Sequence, residues 1–180
     1  MKNKTPLFKI FGSAAISISL LMKGCASDVG VRPEECVNEL TANEYNEGWE
    51  LLFDGLSLRH WRSYGESETN SGWGIESGCL TRLSWGGDLI TKKEYKNFEL
   101  RLDWRISEGG NSGIFWGVKE SPDFKEAYET GPEIQVLDDE RHPDAKVANG
   151  THKAGSLYDM IKPADGMINP AGEWNKVTLY

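Results

Sequence analysis

Residues 98–107 read FELRLDWRIS, and this stretch decides the class of fold. Phe98, Leu100, Leu102, Trp104 and Ile106 recur at every second position, with Glu99, Arg101, Asp103, Arg105 and Ser107 between them. Successive side chains of an extended strand point to opposite faces, so a period of two yields one apolar face and one polar face. The first packs on a core; the second meets water or a ligand. Residues 108–111 (EGGN) turn the chain into 112–118 (SGIFWGV), which is apolar on both faces, as a central strand of a layered structure requires.

The same beat extends in both directions. Upstream, 49–53 (WELLF) runs into the turn Asp54-Gly55, 58–64 (LRHWRSY) follows, and 72–76 and 79–83 flank Ser77-Gly78, a two-residue hairpin connection. Downstream come 133–137 (EIQVL), 156–161 and 174–180. The helical signal is a short one: Thr41 and Glu44 have the spacing of a capping box before Gly48. Short strands separated by Gly-rich turns predict an all-β protein, an antiparallel two-sheet sandwich of the jelly-roll type. The last strand stops at Tyr180 with nothing after it to close the sheets, so the chain is expected to be C-terminally incomplete.

Length and charge narrow the function classes. A chain of 180 residues is enough for one domain. Lys and Arg total 20 against 28 Asp and Glu, a net charge of -8, and four of the lysines precede the first acidic residue. Without residues 1–24 the balance is 16 against 28, or -12. Such a surface repels phosphate backbones, which excludes nucleic acid as a natural partner and favours neutral or cationic ligands. The 20 Gly and 7 Trp point to many tight turns and an aromatic-rich core or binding face.

Lys2 and Lys4 lead into an apolar run over 10–22 (IFGSAAISISLLM), the layout of a secretory signal and too short to span a bilayer. It ends at Leu21-Met22-Lys23-Gly24-Cys25, which resembles a bacterial lipobox, a small residue before a Cys that is acylated after cleavage. The expected organisation is a signal of lipoprotein type over 1–24, a tether with a short helical turn over 25–47, and the sandwich domain over 48–180. The mature protein is then an exported one of the bacterial cell envelope, periplasmic or at the outer membrane, touching a membrane only through a lipid anchor on Cys25. Cys36 and Cys79 remain and are free to pair in an oxidising compartment. The cysteine spacing matches no metal motif.

The chemistry-bearing residues lie between 131 and 158. Alternation over 133–137 puts Glu133 and Gln135 on one face and Ile134 and Val136 on the other, with Asp138 joining the polar face only across a β-bulge. Two carboxylates and an amide on one face supply a general base, a general acid and an orienting group; the bland alternative is a solvated polar strand. His142 and His152 stand close in sequence to this acidic run, and histidine suits proton transfer near neutral pH. Asp138, Asp139, Asp144 and His142 have the donor types for a divalent cation, but their spacing matches no metal loop, so no cofactor is firmly implied. Trp104, Trp116, Tyr158 and Arg105 are candidates for a sugar platform, with core packing the better account of Trp104 and ligand-facing exposure the better account of Tyr158.

Five motifs occur in order: 51–55 (LLFDG), 110–115 (GNSGIF), 131–139 (GPEIQVLDD), 155–159 (GSLYD) and 172–175 (GEWN). Together they resemble the 3-keto-disaccharide hydrolase domain family, over residues 48–180. The resemblance implies a concanavalin A-like jelly roll acting on glycosides oxidised at the sugar C3. The pattern Glu133-x-Gln135-x-x-Asp138 is also similar to the acidic strand motif of laminarinase-type glycoside hydrolases, with Gln135 in place of the central Asp and Asp138 in place of the acid-base Glu. That departure speaks against ordinary retaining hydrolysis. The implied catalytic set is Glu133, Gln135, Asp138 and His152, with Arg105, Asn111, Trp116, His142 and Tyr158 binding the carbohydrate. Glu133 or His152 takes the C2 proton, Asp138 protonates the leaving oxygen, and Gln135, Arg105 or an ion polarises the C3 carbonyl. The competing expectations are a lectin-like binding domain and an ordinary glycoside hydrolase.

Overall fold

The computed structural model describes residues 38–69 and 72–180, together with the backbone of two short strands nearer the N-terminus. In chain order the elements are β1 (Lys9–Ile10), β2 (Ala15–Leu20), α1 (Ala42–Asn46), β3 (Trp61–Ser63), β4 (Trp73–Glu76), β5 (Cys79–Arg82), β6 (Leu89–Thr91), β7 (Phe98–Trp104), β8 (Asn111–Val118), β9 (Glu133–Leu137) and β10 (Asn175–Leu179). All pairings are antiparallel. A five-stranded sheet runs β3-β6-β2-β8-β9, a three-stranded sheet runs β1-β7-β10, and β4 and β5 form a hairpin.

The expected alternation of β7 is what joins the two larger sheets. Leu100, Trp104 and Ile106 are buried in one cluster with Ile114 of β8 and Val136 of β9, while Phe98, Leu102 and Ile134 pack at its margin. Ile134 and Val136 therefore point inward, and Glu133 and Gln135 occupy the opposite face of the five-stranded sheet. There a second cluster forms from Ile90, Phe115, Val118 and Ala127. Phe115 and Val118 reach that same face because Gly117, at φ +64°, makes a bulge that absorbs one residue, and the β2–β8 register shifts beside it.

Local signals hold where a short motif carries a mechanism. Thr41 and Glu44 form the complete capping box of α1. Ser77 and Gly78 both have positive φ, 51° and 76°, as the tight β4–β5 turn demands. Two expected strands are not regular ones. Residues 49–53 are irregular because their polar groups bond elsewhere: Leu52 O accepts from Trp61 Nε1 at 2.8 Å, and Trp49 lies under the Arg101 guanidinium at 4.3 Å from the ring centre. Residues 156–161 make only isolated bridges, since Asp159 has φ +58° and the chain doubles back so that Met160 and Ile161 both donate to Leu157 O.

The apolar leader run contributes β2, which lies between β6 and β8. Apart from β1 and β2, the expected signal, the acylation site Cys25 and most of the tether lie outside the described residues. Cys79 is disulfide-bonded. No helix among the described residues is long and apolar enough to cross a membrane.

Candidate active site

The central group is Glu133. It opens β9 opposite Phe115 of β8, two residues along the ladder from the Gly113–Gln135 pair and on the same face. Its carboxyl lies over Gly113: a Cβ added there would come within 2.0 Å of Glu133 Oε1 and 2.7 Å of its Cδ. The missing side chain is what gives the carboxyl its place. Burial, together with the charges of Asp88 and Asp144 and against the opposing influence of His152, raises the Glu133 carboxyl to a pKa of about 7. It therefore exchanges its proton near neutrality.

Residues 155–158 line the outer edge of β9 and bring a second group to it. Gly155 N donates to Gln135 O at 2.8 Å, Gln135 N to Ser156 O at 3.0 Å, and Tyr158 N to Glu133 O at 2.9 Å. Tyr158 stacks on His152 with ring centres 4.1 Å apart. Both converge on Asp144: His152 Nδ1 lies 2.8 Å from Oδ1, and the Tyr158 hydroxyl donates to Oδ2 at 3.1 Å. A carboxylate oxygen can only accept, and Nε2 also lies 3.3 Å from one, Asp159 Oδ1, so the two carboxylates together favour the doubly protonated ring. The Asp144 bond raises the His152 pKa. Burial and the same carboxylate push the Tyr158 hydroxyl up to about 12, so it keeps its proton. The loop that delivers His152 is strained, with Ala148, Asn149 and Gly150 all at positive φ. Strain of this kind persists where surrounding bonds impose it, here Thr151 Oγ1 to Ala148 O and Asp159 N to Thr151 O.

A third acidic group reaches the same face from the residue just before β6. Asp88 shares the phase of Ile90, which packs on Phe115, and its Oδ2 accepts from Ala127 N at 3.1 Å. Burial and the Asp88 charge raise the pKa of neighbouring Glu126. Glu133, Asp88 and Glu126 thus make this face of the sheet acidic, matching the overall charge.

The other expected site residues divide. Asn111 is on the Glu133 face but at the far end of the β8–β9 pair, opposite Leu137. Gln135 is buried and its Oε1 accepts from Val136 N, which turns it toward the backbone. Trp116 is in phase with Ile114, on the core-facing side. Arg105 follows β7 in the other sheet and stacks on Trp174 at 4.7 Å. His142 caps the turn Pro143–Lys146, its Nδ1 accepting from Asp144 N at 3.2 Å. None of the last three joins Glu133. Among the described residues no three His, Cys, Asp or Glu side chains gather as a metal site.

Asp138 requires the clearest correction. No bulge brings it to the Glu133 face; it is 2 % exposed and locks a turn. Oδ2 accepts from Gly109 N at 2.7 Å and Arg141 Nη1 at 3.2 Å, and Oδ1 from Glu140 N at 3.0 Å and Arg141 N at 3.4 Å. Burial alone would raise its pKa, but these bonds together hold it below the ordinary carboxylate value. The stability it contributes is present above the unfolded pKa and disappears as pH falls through the lower folded one. Asp138→Ala is expected to cost about 3 kcal/mol in urea unfolding at pH 7, because three backbone N–H groups lose a charged acceptor. Turnover by the folded fraction stays near wild type; a hundredfold fall would return Asp138 to the chemistry. Asp144 was visible in the sequence only as a donor type. Its role arises from a loop that joins residues 144, 152 and 158.

Comparison with known proteins agrees with this architecture. A 3-keto-disaccharide hydrolase of Bacteroides thetaiotaomicron is 40% identical over 74% of this chain and 52% of its own, so the chain spans about half the length of that relative. A crystal structure of a candidate glycosyl hydrolase from Parabacteroides distasonis ATCC 8503 superposes with a TM-score of 0.68 at 35% identity, covering 78% of this chain and 67% of that one. The all-β sandwich built from residues 98–107 outward is the shared frame. Residues 48–180 match the family model of the 3-keto-alpha-glucoside-1,2-lyase-like domain, and the chain belongs to that family.

Proposed function

We propose that this domain cleaves the glycosidic bond of sugars that carry a ketone at C3, by elimination across C1 and C2 followed by addition of water. The activity named for the Bacteroides relative supports the substrate class. The observation that carries the reading is the half-buried Glu133 carboxyl, set over Gly113 with a pKa of about 7, whose charge is coupled to the Asp144-held His152.

A ketone at C3 acidifies the C2 proton, because the electron pair left behind delocalises onto the carbonyl oxygen. Glu133 takes that proton. As the ketone re-forms, the C1–C2 double bond forms and the C1–oxygen bond breaks. The departing oxygen receives a proton from His152, whose cationic form Asp144 stabilises. Water then adds at C1, C2 regains a proton, and the sum is hydrolysis without an oxocarbenium ion.

The test offers a 3-keto glucoside and its unoxidised parent to the full chain in heavy water. The expected result is release of aglycone from the keto sugar alone, with deuterium at C2 of the product. Equal cleavage of the parent would make it an ordinary glycoside hydrolase, and saturable binding without product a lectin.

The same reading places the domain outside the cytoplasm on an acyl chain at Cys25. The layout of residues 1–25 and the disulfide at Cys79 support it, since disulfides persist in oxidising compartments. Mass spectrometry of the membrane fraction tests it: an acylated Cys25 at the N-terminus supports the anchor, and an intact leader excludes it.

A further inference from the structure

We propose that Trp85 and Tyr128 form a rim beside the Glu133 carboxyl on which a sugar ring of the substrate rests. The inference deepens the reading above and rests on it for the identity of the ligand. Trp85 is 85% exposed and Tyr128 65%, whereas Trp61 and Trp73 in the same part of the molecule are 2% and 5% exposed. An exposed indole on a slack loop would carry no argument, but this loop is built.

Leu83 N and Ser84 N both donate to Gly72 O, at 3.0 and 3.2 Å. The Arg82 guanidinium donates to Ser84 O at 3.1 Å and also to Gly86 O, and Trp73 Nε1 donates to Gly87 O at 2.8 Å. Gly72 and Gly86 touch so closely that a Cβ on Gly72 would come within 2.6 Å of Gly86 Cα. The same guanidinium lies 5.8 Å from the Trp73 ring centre and 5.2 Å from that of Trp85. Arg82 is itself buried, so a costly group to desolvate is spent on holding an aromatic ring in water.

The loop ends at Asp88, on the Glu133 face. Asp88 Oδ2 accepts from Ala127 N, and Tyr128 is the next residue. One carboxylate thus ties together the two segments that present the rings, with Glu126 on the second of them. A pyranose has C–H groups on a face that suit the negative face of an aromatic ring, and hydroxyls at its rim that donate to carboxylates. The acidic surroundings select a neutral ligand and reject an anionic one.

The experiment compares full-length wild type, Trp85→Ala, Tyr128→Ala and Trp85→Phe with a 3-keto disaccharide, and titrates each with the unoxidised disaccharide while following tryptophan fluorescence. Each alanine variant is expected to raise KM about tenfold with the loss confined to KM, Trp85→Phe to recover most of it, and the titration to quench wild-type emission but not that of Trp85→Ala. Turnover with KM unchanged in both alanine variants overturns the rim and leaves the reaction standing. Quenching lost in Trp85→Ala, with no turnover by wild type, keeps the rim and removes the reaction. A change in sedimentation of Trp85→Ala without a change in KM makes the patch a self-association surface and also overturns the proposal.

Discussion

Glu133→Gln is expected to reduce turnover of a 3-keto glycoside by about a thousandfold while making the folded protein harder to unfold at alkaline pH. The first effect follows from removing the carboxyl that the geometry sets over Gly113. The second follows from its titration. The carboxyl has a folded pKa of about 7 against an unfolded value of 4.5, so the stability linked to its protonated form is fully present below 4.5 and lost as pH rises through 7. A shift of that size corresponds to about 3 kcal/mol at full burial, and less where water reaches the group. Gln is neutral at every pH and keeps the shape. Urea unfolding should find the two proteins nearly equal at pH 4 and the variant more stable at pH 9. In wild type, kcat/KM should rise with pH through about 7 as Glu133 ionises and fall again as His152 loses its proton above its raised pKa. Equal pH dependence of stability in the two proteins would mean that partial burial does not raise the Glu133 pKa.

Gly113→Ala should be the next most damaging change, about a hundredfold in kcat, with a modest loss of stability from the displaced Phe115 ring. The backbone at 113 is ordinary strand, so alanine costs nothing in φ and ψ. The new methyl would occupy the place of the Glu133 carboxyl and come within 2.8 Å of the buried Phe115 Cζ, so the flexible carboxyl end must move and the ring must shift by a few tenths of an ångström. A displacement of an ångström at the reacting group is enough for such a loss. Moved toward water, the carboxyl recovers an ordinary acidity, so the acid limb of the pH profile should shift below 7 along with the fall in kcat. A loss of rate with the limb unmoved would assign the damage to general disruption of β8. Thermal unfolding within a few degrees of wild type separates the two cases.

The sandwich was legible because β7 alternates over its whole length and because Ser77-Gly78 and Thr41/Glu44 carry mechanisms that operate over two to four residues. Strand β6 escaped notice: Leu89–Thr91 is three residues long and buried on both faces, so it has no alternation to read. In the site, Glu133 was legible from its phase relative to Ile134 and Val136. Asp138 misled because an acid that caps a turn and one that transfers a proton are the same residue in a sequence. They differ only in where their oxygens are bonded, here to Gly109, Glu140 and Arg141. Asp144 and His152 are eight residues apart, and only the strained turn between them makes them partners. Trp85 looked like any of the seven tryptophans, since exposure is set by the loop that Arg82 holds.

Strand β2 has a consequence for the order of events in the cell. The segment Ala15–Leu20 carries the apolar pattern of a secretory leader, yet it completes the hydrogen-bond ladder between β6 and β8. If that segment is the proposed leader, early folding would hide it inside a sheet, while its removal would leave two facing ladders about 10 Å apart, a gap one strand wide. Were residues 1–24 to serve as the proposed leader, export and this pairing would compete for the same six residues, Ala15–Leu20.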